Sequence, residues 1–147
     1  MASLSDLEEL STGEHGLVTI SVARADGSVH SSVVNAGVMD HPVTGERVVA
    51  AVLIGSSWKL RRIRETGRCT LLFRVGWNWA SVDGPVGIIG PQDSFDGFSP
   101  ADLPMLLRDV FQAAGGTHDN WDEYDRVMAE DGRTAIFITP ERIQGRG

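Results

Sequence analysis

The segment Gly55-Ser-Ser-Trp-Lys-Leu-Arg-Arg-Ile-Arg64 concentrates the residue types that hold an anion. Ser56 and Ser57 stand where a helix would start, and Lys59 and Arg61 follow in its first turn. Free backbone N–H groups at a helix start favour negative charge, and the cations add charge-assisted hydrogen bonds. The pattern is that of a phosphate cradle; a solvated basic helix face is the alternative on local chemistry. Between Arg47 and Val82 one acid, Glu65, stands against Arg47, Lys59, Arg61, Arg62, Arg64, Arg68 and Arg74, in a chain of net charge −7. Such an island can focus a field on a small anionic ligand. The acidity of the whole weighs against nucleic acid as a partner.

Conventional catalytic sets are absent: there is no G-x-S-x-G elbow, GxxxxGK[ST] loop or H-E-x-x-H pair. His15, His30, His41 and His118 are scattered, so no metal site is expected. Cys69 lies in an apolar strand with no activating base nearby and reads as core. Trp121, Tyr124 and Met128 share a helical face and read as its packing stripe. Arg133 either pairs with the acidic run Asp119 to Asp131 or reaches a ligand.

The elements that must position these groups follow from length and periodicity. A chain of 147 residues, 41% apolar and 22% charged, suits one domain over 1–147. No apolar run approaches a membrane span, and the first residues, MASLSDLEEL, are acidic. With a single cysteine, a reducing cytoplasm is the expected compartment. A short helix opens at Ser5 and stops near Gly13; Leu17–Ala23 and Val29–Met39 form a hairpin around Asp26-Gly27. Gly37 marks a bulge or a close backbone approach. An apolar strand from Arg47 to Gly55, a helix Trp58–Glu65 stopped by Gly67, and strands Arg68–Val75 and Asn78–Ile89 follow. Helices over Leu103–Ala114 and Trp121–Glu130 precede a last strand, Arg133–Thr139, closed by Pro140. Consecutive hairpins with few helices predict a mainly β fold with a closed antiparallel sheet.

Four segments in this order resemble the split β-barrel flavin-binding family that includes pyridoxamine 5′-phosphate oxidase and the deazaflavin-dependent oxidoreductases. They are the hairpin LVTISVARADGSVHSSVV, the helix and strand SSWKLRRIRETGRCTLLF, the long strand GWNWASVDGPVGII and the C-terminal WDEYDRVMAEDGRTAIFITPERIQG. The resemblance implies an FMN-binding-like split β-barrel, assembled as a homodimer with two cofactor sites at the subunit interface.

Carried over to this chain, the resemblance implies that Lys59 binds the cofactor phosphate and that Arg61 is a second donor beside Ser56 and Ser57. Ser57 stands where close relatives often place Arg, and Arg62 where many carry Asn. His30, Ser32 and Asn35 would lie beneath the cofactor ring, with Val52 and Ile54 lining it. Trp77 and Trp79 match aromatic positions that reach the cofactor from the partner subunit. The function implied is hydride transfer to or from a small organic substrate. The deazaflavin F420 is the expected cofactor and FMN the alternative, because the substrate-binding C-terminal Arg/His pattern of pyridoxamine 5′-phosphate oxidase is not matched. A non-catalytic cofactor-binding protein is the third reading.

Overall fold

A computed structural model describes residues 2–145. The chain runs α1 (Leu4–Gly13), β1 (Leu17–Ala23), β2 (Val29–Asp40), β3 (Arg47–Leu53), α2 (Trp58–Thr66), β4 (Arg68–Val75), β5 (Asn78–Ile89), α3 (Leu103–Ala113), α4 (Trp121–Glu130), β6 (Thr134–Ile138) and β7 (Arg142–Gly145). A 3-10 turn, Pro100–Asp102, leads into α3.

All strand pairings are antiparallel, in the order β4-β1-β2-β3-β6-β5, and a β4–β5 pairing closes a six-stranded barrel. Two strands change partners along their length. Residues 29–35 of β2 pair with β1, whereas 36–40 pair with β3. In the same way β5 pairs with β4 up to Pro85 and with β6 from Val86 onward. Gly84 permits this second change, since a Cβ there would lie 1.9 Å from the Thr139 carbonyl oxygen. At the first, β2 and β3 diverge below Ala36 and Ala51, and the barrel wall opens.

Alternation fills the barrel. Val18, Ile20 and Val22 of β1 face inward with Leu71 and Phe73 of β4, Val82 of β5 and Ile136 and Ile138 of β6. Helix α2 plugs the open wall with Leu60 and Ile63, both fully buried in this cluster. On the other side of β3 and β6, Ala50, Ala135 and Phe137 pack against Leu106, Leu107 and Val110 of α3 and Tyr124 of α4. The close approach expected at Gly37 is real: a Cβ would meet the Ala113 carbonyl oxygen at 2.1 Å.

The structure moves some element boundaries. Ser3, not Ser5, caps α1, and its backbone N–H donates to the Asp6 carboxylate at 2.8 Å. Strand β3 ends at Leu53 rather than Gly55, because Gly55 already turns to meet the α4–β6 junction. Strand β7 is additional: it pairs with residues 80–83 of β5. With Pro140 just before it and only one large apolar residue, Ile143, it carries little strand signal of its own. Among the described residues no helix is long and apolar enough to cross a membrane.

Candidate functional site

The opening between β2 and β3 holds a cleft of about 360 Å³. Val33, Val34 and Asn35 of β2 form one edge, and Val52, Leu53 and Ile54 with Ser57 and Lys59 form the other. Its far wall is Val110, Phe111 and Ala114 from α3 with Tyr124 and Met128 from α4, and Arg133 stands at its end.

Local chemistry places Lys59. Ser57 takes an extended conformation and its Oγ accepts from the Leu60 N–H at 3.3 Å, which starts α2. Gly67, left-handed at φ 69°, ends the helix. Leu60 must point into the barrel, so its neighbour Lys59 faces the opening. There its Nζ donates to Ser32 Oγ at 2.9 Å. Burial holds the Lys59 ammonium below its ordinary pKa, as expected for a charge moved out of water without a counter-charge. Among the described residues no carboxylate lies within 4.0 Å of it.

That distinguishes Lys59 from most of the basic island. Arg47 pairs with Glu8 and Asp40, Arg62 with Glu65, Arg64 with Asp93, and Arg68 with Glu141 and Asp83. Much of the island is therefore neutralised within the chain, and Arg62 also ties α2 to β1 by donating to the Ala23 carbonyl. Arg61 is exposed, and among the described residues it too has no carboxylate within 4.0 Å.

Of the residues expected at the site, Ser57, Lys59, Val52, Ile54 and Asn35 line the cleft, and Ser32 touches it through Lys59. Asn35 Nδ2 donates to the His15 carbonyl at 3.3 Å. His30 lies one step further along β2, its ring 5.3 Å from that of Trp58 and its Nδ1 buried with no hydrogen-bond partner among the described residues. Ser56 lines a neighbouring groove instead. Arg61 lies outside the cleft, as do Trp77 and Trp79 on the outer side of the barrel, 83% and 37% exposed.

Sequence reasoning missed the far wall. Tyr124 and Met128 read as helix packing, and nothing in the sequence singles out Phe111; Tyr124 does pack: it is buried, with its hydroxyl donating to the Leu107 carbonyl at 3.0 Å. Burial pushes that phenol up to about 12. Arg133 Nε donates to Asp131 Oδ2 at 3.3 Å, so it pairs with the acidic run and also faces the cleft. No sequence signal placed these residues opposite β2. Cys69 is buried, and its thiol is likewise raised to about 12, which leaves it inert. Among the described residues no group of three or more His, Cys, Asp or Glu side chains is placed to hold a metal ion.

The geometry has counterparts among solved structures. A conserved hypothetical protein, Rv2991 from Mycobacterium tuberculosis, superposes with a TM-score of 0.68 at 17% identity, over 99% of this chain and 84% of that one. A pyridoxamine 5′-phosphate oxidase-related, FMN-binding protein from Nostoc punctiforme gives 0.64 at 8% identity, over 95% and 80%. The fold is a split β-barrel of the pyridoxamine 5′-phosphate oxidase type. An F420 reductase shares it with a TM-score of 0.58 at 12% identity, over 87% of this chain and 88% of that one. Split barrels among the matches also include HutZ, a heme storage protein from Vibrio cholerae. No protein-family model and no curated protein matches the sequence.

Proposed function

We propose that this split barrel is a deazaflavin (F420)-dependent oxidoreductase acting on a small organic substrate. The observation that carries the reading is Lys59: a half-buried cation with no carboxylate partner among the described residues, at the mouth of a mostly apolar cleft. The residues present fit a phosphate-bearing ring cofactor. Lys59 and the Ser32 and Ser57 hydroxyls supply donors for the anionic group, and Val52 and Ile54 supply an apolar bed for a ring. Among the described residues, 29–35 of β2 have no strand partner on the side facing β3, which leaves that edge open to a ligand. A bound flavin or deazaflavin supplies the hydride chemistry, which is why no catalytic triad is needed. The chain's part is to hold the anionic group through Lys59, orient the ring along β3 and exclude water with α3 and α4. FMN is the alternative cofactor.

The working unit in this reading is a homodimer. The outer face of β1, β2 and β4 exposes Leu17, Val29 and Val33, the last 63% exposed. Val33 also lines the cleft, so the apolar face and the cleft are continuous. We read this face as the seat of a second copy. A second copy seated there would complete the cleft and bring Trp77 and Trp79 towards it.

Equilibrium titration with oxidised F420, FMN and riboflavin tests the reading. F420 should bind more tightly than FMN, both more tightly than phosphate-free riboflavin, and added salt should weaken the two anions. A preference for FMN above about tenfold, or ~1.4 kcal/mol, moves the assignment to FMN; binding of neither sinks it. If cofactor binds but its reduced form is not oxidised by any acceptor tried, the non-catalytic reading replaces it.

A further inference from the structure

We propose that Arg133 is the receptor for a carboxylate on the substrate, so that the cleft selects a planar organic acid. The inference rests on the reading above, in which the Lys59 flank holds the anionic group of the cofactor.

The cleft has two cationic flanks. Strand order is β2-β3-β6, with Lys59 bound to Ser32 over β2 and Arg133 just before β6. The whole of β3 lies between these flanks, and β2 has already parted from β3 at Ser32, which suits two anionic groups better than one phosphate. Both flanks are anchored to one another. The Gly55 N–H donates to the Asp131 carbonyl at 3.2 Å, and a Cβ on Gly55 would lie 2.3 Å from the Gly132 carbonyl oxygen. The turn that delivers Lys59 is thereby stapled to the turn that delivers Arg133.

The Arg133 side chain is held for use. Its backbone N–H closes α4 on the Met128 carbonyl at 3.0 Å, and Asp131 engages only its Nε. Its two terminal guanidinium nitrogens have no acceptor among the described residues. A planar fork of this kind suits a carboxylate, which accepts two parallel hydrogen bonds. The surroundings narrow the ligand further. Phe111 and Tyr124 have ring centroids 5.0 Å apart beside Met128, and the Tyr124 hydroxyl is committed to Leu107. That wall therefore offers flat apolar surface with Arg133 at its end.

Cinnamate and its uncharged isostere cinnamamide, titrated calorimetrically into the full chain with and without saturating FMN, test the assignment. Wild type should prefer cinnamate by tenfold or more. Arg133→Gln should remove that preference while leaving cinnamamide affinity unchanged, and Arg133→Lys should restore only part of it. Asp131→Asn, which keeps the turn but loosens the fork, should weaken cinnamate by a smaller factor and serves if Arg133→Gln does not fold. In parallel, the preference for FMN over riboflavin should survive Arg133→Gln and vanish in Lys59→Ala. The proposal is overturned if wild type shows no cinnamate preference, if the preference survives Arg133→Gln, or if Arg133→Gln erases the FMN preference. Should Lys59→Ala leave FMN binding intact while Arg133→Gln abolishes the cinnamate preference, the cofactor reading fails and the carboxylate receptor stands.

Discussion

Lys59 Nζ donates to Ser32 Oγ across the gap where β2 and β3 part. The bond joins the start of a helix to a strand 27 residues earlier in the chain, and it holds a cation at the mouth of the cleft. A charge-assisted hydrogen bond to a partly desolvated phosphate contributes roughly 1.5–3 kcal/mol. Lys59→Ala should therefore weaken FMN or F420 binding by about ten- to a hundredfold, measured by equilibrium titration, while riboflavin affinity barely changes. Because Lys59 has its pKa below 10.5, phosphate affinity should start to fall at a lower pH than an ordinary lysine would give.

Arg64 lies on the same helix but is held elsewhere. Its guanidinium makes two hydrogen bonds to Asp93, at 2.9 and 2.6 Å. Arg64→Ala should leave cofactor affinity within about twofold of wild type and cost about 1 kcal/mol of stability, since Asp93 would lose its partner. Chemical denaturation beside the same titration separates the two effects. A loss of affinity as large as that of Lys59→Ala would mean that the whole basic island, and not one lysine, holds the ligand.

Gly37 sets where α3 lies. A methyl group there would overlap the Ala113 carbonyl, so Gly37→Ala must push the helix end away or bend β2. The expected cost is on the order of 3 kcal/mol, read as a lowered midpoint in thermal unfolding. Gly45→Ala, a left-handed turn glycine with nothing within 4 Å, should cost about 1 kcal/mol from backbone strain alone.

His41 makes stability depend on pH. It is buried between the Phe95 and Phe137 rings, and its Nδ1 accepts the Val43 and Thr44 N–H groups at 3.1 and 3.2 Å. Burial lowers its pKa from 6.5, against a smaller opposite pull from Glu46. As pH falls below the ordinary histidine value, the unfolded chain takes up the proton first, so native stability is lost from about pH 6.5 down to the folded-state pKa. His41→Asn keeps a side-chain acceptor for the turn and removes the titration. Urea midpoints between pH 7 and pH 5 should fall less for this variant than for wild type; equal slopes would exclude His41 as the cause.

The proposed dimer can be tested without ligand. Thr19 pairs with Val33 on one side and with Leu72 on the other, which puts Leu72 on the outer face with the exposed valines. Light scattering at micromolar concentration should return about twice the 15.9 kDa chain mass. Leu72→Glu should shift it towards the monomer and weaken cofactor binding with it. A wild-type monomer would remove the partner subunit from the proposed site.

Much of this architecture was legible in the chain because its signals are local. Asp26-Gly27 sets the first hairpin: the Asp26 carboxylate accepts from Ser28, and β1 and β2 pair in register from Leu17–Asn35 to Ala23–Val29. Ser57 and Gly67 bound α2, and the segment's own residues put Lys59 in its first turn. What tertiary structure alone decided is where strands exchange partners and which charges cancel. Val29 to Met39 reads as one continuous strand, and nothing in its alternation says that pairing with β3 begins only at Ala36. That depends on packing against α2 and α3, and it opens the cleft. The same holds for charge: Arg64 and Lys59 are alike in sequence, but one meets Asp93 from 29 residues away and the other meets no acid among the described residues. Arg133, beside Asp131 in the chain, comes to the cleft only because β6 pairs with β3 and carries it to the opposite flank from Lys59. Periodicity and capping act over a few residues, whereas a binding site is assembled by pairings that span most of the chain.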